Sequence, residues 1–355
     1  MAGASYASRT AAPSRHPLTG ESRDTTMKAI RYRVYGPPDV LQLEDVGMPA
    51  VGDDEILIRV KAASVNPLDW HNMRGTPYLV RLTMGLSRPK DHAMGGDLAG
   101  CVEAVGRNVT KFRPGDEVFG GRGNSPIERA AAFAEYASLH QDAMVTRKPV
   151  GLTFEEAASV PVAAVTALQA LCHKGRIRAG HRVLINGAAG GVGTFAVQLA
   201  KAYGAEVTAV CSTRNVEMVG SIGADHVVDY TKEDFTRTGR RYDLVLDLVA
   251  NRSLTDNRRI LDPKGVFLEC APAEGLWAGP VVALVKMMVY SKIVRRRMPF
   301  VLCKESQDDL VVLRELIEAG KITPVIDRGY TLGEVPEAVG YLEKGHARGK
   351  VVITL

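Results

Sequence analysis

Hydrophobic positions change their spacing near residue 149. Before it, short apolar runs are cut by Gly, Pro and Asp, which predicts a β-rich section with strands over residues 28–34, 40–46, 55–64, 100–109 and 117–120. Gly36-Pro37-Pro38 and Arg113-Pro114-Gly115-Asp116 read as turns between them. Residues 55–64 alternate apolar and polar, as a half-buried strand should. After residue 149 the pattern lengthens. Residues 154–158 and 162–171 read as helices, with Thr153 as an N-cap. Strands at 183–186, 206–211, 226–229, 242–248 and 265–270 then alternate with helices at 194–203, 216–222 and 254–261. Such alternation with short links predicts an α/β fold with a parallel doubly wound sheet and helices on both faces. A helix at 307–319 and strand-like segments at 323–326 and 350–355 complete the chain.

A length of 355 residues leaves room for about two domains, each with its own core. The net charge of +5 is small and dispersed, so no nucleic-acid partner is expected. The five cysteines lie far apart with no C-x-x-C pair, a reduced, cytoplasmic pattern without a thiolate zinc site. No run reaches the ~18 uncharged apolar residues of a membrane span, and the nearest, 280–290, is broken by Lys286. Residues 1–26 are rich in Ala, Ser, Thr and Arg and lack lysine and apolar periodicity. They read as a disordered extension or an over-long start, with a mitochondrial-matrix presequence as the alternative; the fold is expected to begin at Met27.

The chemistry is concentrated in Gly180-His181-Arg182-Val183-Leu184-Ile185-Asn186-Gly187-Ala188-Ala189-Gly190-Gly191-Val192-Gly193, which continues to Gln198 and Lys201. A buried strand, a glycine turn and a helix start offer a dinucleotide pyrophosphate free backbone N–H groups, a positive helix end and no obstructing side chains. Ala189, Gly190, Gly191, Val192 and Gly193 are the expected cofactor contacts. Gly190 and Gly193 occupy the second and third glycine places of G-x-G-x-x-G, and Ala188 the first. The whole stretch resembles the quinone oxidoreductase (zeta-crystallin-like) branch of the zinc-independent medium-chain dehydrogenase/reductase superfamily.

The resemblance covers residues 27–355. It implies a GroES-like β-rich catalytic domain (27–149 and 303–355), completed by the returning C-terminal strands, and a Rossmann NADP-binding domain (150–302). It also implies an active site in the cleft between them. Cofactor choice is read at the end of the second parallel strand. NAD sites place an acid there; here Cys211-Ser212-Thr213-Arg214 carries none, and Ser212 and Arg214 can bond a 2′-phosphate, which favours NADPH. Tyr230 stands where the family places a tyrosine beside the adenosine, and Thr166 where relatives contact the nicotinamide amide. Lys350, or Arg348, is a further candidate for the phosphate.

Zinc-dependent relatives bind metal through a Cys and a His-Glu pair. The corresponding positions here are Asn66 and Gly96-Asp97, so no metal is expected. Hydride transfer from NADPH to a quinone or an activated alkene, a small apolar acceptor, suits a site without Lewis acid. Asn66 is the candidate to bond the acceptor carbonyl, since its amide donates and accepts. Asp69 is expected to hold that loop. Tyr78 matches an active-site tyrosine of the family and is a second donor candidate, with a plain loop tyrosine as its alternative. An alcohol dehydrogenase-type activity, or a non-catalytic NADPH-binding role of crystallin or RNA-binding kind, is the alternative function. The apolar, Met-rich run 277–297, ending in Arg295-Arg296-Arg297, is expected over the cleft or at a homodimer contact.

Overall fold

The computed structural model describes residues 26–90, 92–121, 131–270, 291 and 297–355. The expectations for residues 1–25 and for most of 277–297 lie outside the described residues. Strands β1 (Thr26–Arg31) and β2 (Gln42–Gly47) pair antiparallel as a separate ribbon. The main sheet of the N-terminal half contains β3 (Glu55–Val65), β4 (Asp97–Val105), β5 (Glu117–Gly121), β6 (Tyr136–His140) and β7 (Met144–Arg147). Two short helices, α1 (Pro67–Arg74) and α2 (Arg81–Met84), fill the connection between β3 and β4.

Strand β3 is not half-buried as its alternation suggested. Between Ile56 and Val65 only Arg59 is exposed and Lys61 half-buried. Its far end runs between two cores: Ala62 packs among helical residues such as Ala158 and Val165, while Ala63 and Val65 face the core of their own sheet. Strands β6 and β7 and helix α1 escaped the sequence reading. They are short, and Pro67, Asp69 and His71 give α1 little apolar signal.

Helices α3 (Phe154–Ala158) and α4 (Pro161–Leu168) lead into the second half. Thr153 caps α3 by accepting from the Glu156 N–H. The parallel sheet has the order β10–β9–β8–β11–β12, from β8 (Arg182–Asn186), β9 (Glu206–Cys211), β10 (His226–Asp229), β11 (Tyr242–Asp247) and β12 (Leu261–Glu269). Helices α5 (Gly191–Ala202), α6 (Val216–Ser221) and α7 (Leu254–Ile260) connect them. Both faces are covered. Val183 and Ile185 enter one apolar cluster and Leu184 the opposite one; Ala209 and Val210 divide in the same way.

Helix α8 (Gln307–Glu318) packs Leu310, Leu313 and Ile317 into the cluster shared with α4 and α5. The chain then returns to the first sheet through β13 (Ile326–Thr331), α9 (Val335–Glu343) and β14 (Lys350–Thr354). The first of these strands begins at Ile326, where the sequence expected an end, because residues 323–325 pass beside the parallel-sheet half: Thr323 exchanges two bonds with the Gln198 amide. Strand β14 pairs parallel with β13 and antiparallel with β3, setting Val351 opposite Val65. The Arg74 guanidinium, in two bonds to Glu343, ties α1 to α9.

Candidate active site

Pro67 begins α1 with its fixed φ, which leaves Asn66 extended at the N-cap with φ −124° and ψ 156°. The Asn66 N–H donates to Asp69 Oδ2 at 2.7 Å, the loop-holding contact suggested for Asp69. The Asn66 side chain points inward and is 4% exposed. Its Nδ2 donates to Asp97 Oδ2 at 2.9 Å, and its Oδ1 accepts from Lys350 Nζ at 2.6 Å. The Asp97 carboxylate also accepts from Ser64 Oγ at 3.0 Å and the Val162 N–H at 3.1 Å, and lies 3.5 Å from Lys350 Nζ.

Asp97 is 0% and Lys350 3% exposed, so the two charges are buried together rather than singly. Burial pushes the Lys350 ammonium below the ordinary lysine range, while the Asp97 and Asp69 carboxylates push it back up. Val162 is in the first turn of α4, so Asp97 also places its charge at the positive end of that helix. One turn further along, Thr166 donates its hydroxyl to the Val162 carbonyl at 2.6 Å. Burial pushes the Cys303 thiol up to about 11, while the Thr166 hydroxyl acts in the opposite direction.

The glycine turn adjoins this cluster. Gly187, with φ +86°, makes the left-handed step that leaves β8, one residue before the place the motif assigns to its first glycine. Ala188 can therefore fill that place and is fully buried. A Cβ on Gly193 would lie 2.2 Å from the Gly187 carbonyl oxygen, so close approach of α5 to the turn requires glycine there. Gly190 caps α5 without any side-chain bond, which leaves the first N–H groups of the helix for a ligand. The turn meets the C-terminal strand: the Gly349 N–H donates to the Ala189 carbonyl at 2.8 Å, and a Cβ on Gly191 would lie 2.9 Å from Lys350 Cδ. The lysine therefore runs from the glycine turn down to Asn66.

That position differs from the one read for Lys350 in the sequence. Its Nζ ends in the buried cluster, not at a 2′-phosphate, because β14 lies beside β3 and Asp97 supplies an internal carboxylate. The residues at the end of β9 are elsewhere and more open. Ser212 is half-buried and accepts from Asn215 Nδ2, while the exposed Arg214 donates to the His346 carbonyl. Tyr230 is 46% exposed, and its N–H holds the Cys211 carbonyl at 3.0 Å. Asp229 supplies an acid at the end of the neighbouring strand, already engaged by Thr213 Oγ1 at 2.6 Å, Thr231 Oγ1 at 2.7 Å and Lys232 Nζ at 3.1 Å. Tyr78 lies on a tight turn after α1, its half-buried ring centroid 4.6 Å from the Arg81 guanidinium.

The structure thus joins Asn66, Thr166, the glycine turn and Lys350, whereas Ser212, Arg214 and Tyr230 form a second group at the carboxyl ends of β9 and β10. Sequence reading missed Asp97 and Ser64 as partners of Asn66. The available signal was a pair of opposite charges, Asp97 and Lys350, each opening a strand whose next residues are apolar or small.

The chain is similar to known proteins along most of its length. Residues 52–170 match the Alcohol dehydrogenase GroES-like domain family, and residues 222–353 the Zinc-binding dehydrogenase family. The mitochondrial NAD(P)H oxidoreductase RTN4IP1 of Mus musculus is 35% identical over 376 residues, covering 97% of this chain and 93% of its own. The chain belongs to the medium-chain dehydrogenase/reductase family. It is also similar to the chloroplastic NADPH-dependent alkenal/one oxidoreductase of Arabidopsis thaliana, 34% identical over 335 residues with 92% and 79% covered. The solved quinone oxidoreductase from Coxiella burnetii superposes with a TM-score of 0.80 at 32% identity, covering 93% of this chain and 99% of that one. As a member of the quinone oxidoreductase branch, the protein is an NAD(P)H-dependent oxidoreductase of GroES-like plus Rossmann architecture.

The glycine cradle fits a nicotinamide dinucleotide, for the steric and polar reasons above. The zinc in one family's name is not matched by the donors. At Asn66 and Gly96-Asp97, the positions the sequence compared with a metal site, stand an amide, a glycine and a carboxylate, and the amide and the carboxylate are both bonded to an ammonium group. Among the described residues, no group of three or more His, Cys, Asp or Glu is placed to hold a metal ion. Nor is any helix among them long and apolar enough to cross a membrane.

Proposed function

We propose that this family member is an NADPH-dependent reductase of quinones or of α,β-unsaturated carbonyl compounds. The observation that carries the reading is the buried Asn66 amide, held between Asp97 and Lys350 at the place where zinc-dependent relatives hold metal. When bound, a reduced nicotinamide supplies hydride to an electron-poor carbon. The protein's part is to hold a hydrogen-bond donor where negative charge grows on the acceptor's carbonyl oxygen, in a site closed to water. A neutral amide suffices for quinones and enones, whose conjugation already spreads that charge. A simple alcohol or ketone needs stronger polarisation, which makes the alcohol dehydrogenase reading the weaker one.

In this reading residues 27–149 and 303–355 form the catalytic domain and 150–302 the nucleotide domain. Ala189 to Gly193 cradle the pyrophosphate, Thr166 meets the nicotinamide amide, and Tyr78 is a second donor to the carbonyl. Ser212 and Arg214 bind the 2′-phosphate with Tyr230 beside the adenosine, which supports NADPH over NADH. The name of the plant relative supports the same cofactor and acceptor class. The test is a screen of NADPH and NADH oxidation with quinones, alkenals, enones, simple ketones and alcohols. Turnover confined to quinones or conjugated carbonyls is expected. Turnover confined to simple alcohols and ketones overturns the reading, and NADPH binding without any turnover favours the non-catalytic alternative.

A further inference from the structure

Asn66 is useful as a donor only if its amide faces the right way. An amide turned over presents its oxygen to the acceptor's oxygen, and the contact becomes repulsive. Two neighbours decide the orientation. An ammonium group can only donate, and an ionised carboxylate can only accept. Lys350 Nζ lies 2.6 Å from Oδ1, and Asp97 Oδ2 lies 2.9 Å from Nδ2. A flip would set donor against donor and acceptor against acceptor, both beside a full charge. Nδ2 has a second N–H, and Ser64 O, 3.5 Å away, is at the outer limit of hydrogen bonding to it.

We propose that Lys350 is a positioning residue: by bonding Asn66 Oδ1 it fixes the amide with its nitrogen toward the acceptor carbonyl. The inference rests on the role given to Asn66 above. Two further features support it. The lysine is 3% exposed and its stem lies along Gly191, so the same side chain sets the amide relative to the dinucleotide cradle. Donation to Oδ1 also polarises the amide and strengthens its remaining N–H as a donor.

The experiment compares Lys350→Met, Asn66→Ala and the double variant in the full chain. Readouts are kcat and KM for the best acceptor, NADPH Kd, and the side-chain ¹⁵N–¹H signals of Asn66, identified by their loss in Asn66→Ala. Loss of one oxyanion donor typically lowers kcat by about 10²–10³-fold. Lys350→Met should approach that loss, with NADPH Kd within about threefold. The double variant should be no slower than Asn66→Ala by more than about twofold, because Lys350 acts through Asn66. The Asn66 amide signals should shift or broaden in Lys350→Met.

A loss in the double variant equal to the product of the two single losses overturns the proposal. So do amide signals that Lys350→Met leaves unchanged. If Lys350→Met does not fold, combining it with Asp97→Asn removes both buried charges and leaves an amide oxygen at position 97 to accept from Asn66, and the same outcomes apply. Failure of the function reading looks different: wild-type protein turns over no conjugated acceptor, while the amide signals still report on Lys350.

Discussion

Gly193 and Gly220 are both helical glycines, yet alanine should act in opposite directions at the two. At Gly193 the new Cβ would meet the Gly187 carbonyl oxygen at 2.2 Å, the Ala188 carbonyl carbon at 2.7 Å and Ala188 Cα at 2.8 Å. All three are backbone atoms, so no side chain can swing away. A normal carbon–oxygen contact is ~3.2 Å or more, so the turn must move by roughly an ångström. Overpacking of that kind costs about 1–3 kcal/mol, against a helix-propensity gain of ~1 kcal/mol. The displaced atoms belong to the turn proposed to cradle the pyrophosphate, so binding should suffer more than folding. NADPH affinity should fall tenfold or more, about 1.4 kcal/mol. At Gly220, in α6, an added Cβ meets nothing within 4 Å. Gly220→Ala should stabilise by ~0.5–1 kcal/mol, by restricting the unfolded chain, with no effect on the cofactor. Titration of NADPH by fluorescence, with thermal unfolding of each variant, measures both effects. If Gly193→Ala binds NADPH within twofold of wild type and melts no lower, the turn is not the pyrophosphate site.

Wild-type protein should bind NADPH at least about tenfold more tightly than NADH, since one charged hydrogen bond contributes ~1.5–3 kcal/mol. The preference should disappear in Ser212→Ala with Arg214→Ala, and equal wild-type affinities in a titration would refute the assignment. Activity should survive exhaustive chelation, and elemental analysis should find no stoichiometric zinc, because Asn66 and Asp97 are bonded to Lys350; one zinc per chain required for turnover contradicts this. Asp229 is held well below the ordinary carboxylate range, first by the Thr213 hydroxyl and also by Thr231 and Lys232. Its stabilisation is therefore complete at neutral pH, begins to decline below about pH 4 where the unfolded carboxyl protonates, and is lost as the folded group titrates. Asp229→Asn should lower the melting temperature at pH 7 and reduce its fall between pH 5 and 3; an unchanged acid profile contradicts this.

The parts of the fold legible in the sequence are those where one local rule decides the conformation. Glu206–Cys211 and His226–Asp229 are short apolar strands of a sheet covered on both faces, and their bounds coincide with those read from the chain. Thr153 caps α3 because Glu156 stands three residues later, a reciprocal pattern complete within four residues. The same locality explains one misreading. The alternation of residues 55–64 records polar residues correctly, but nothing local says that helices cover the second face at Ala62. Ala188 can stand at the first glycine place because the left-handed step, with φ +86°, comes one residue earlier at Gly187.

The buried cluster around Asn66 was less legible because it depends on pairings distant in the chain. Lys350 and Asn66 are 284 residues apart, and Asp97 stands between them in sequence. Only the antiparallel addition of β14 to β3, with β4 on the other side, brings the three together. In sequence Lys350 is a basic residue near the C-terminus, equally suited to a phosphate, and Asp97 is a site that lacks a histidine. A buried lysine in an apolar strand carries a stronger implication than either reading. It is rarely tolerated unless a carboxylate is buried with it, so its presence in Lys350-Val351-Val352-Ile353 points to an acid brought close by the fold. Asp97 meets that requirement, and the Asn66 amide lies between the two because β3 is the strand they share.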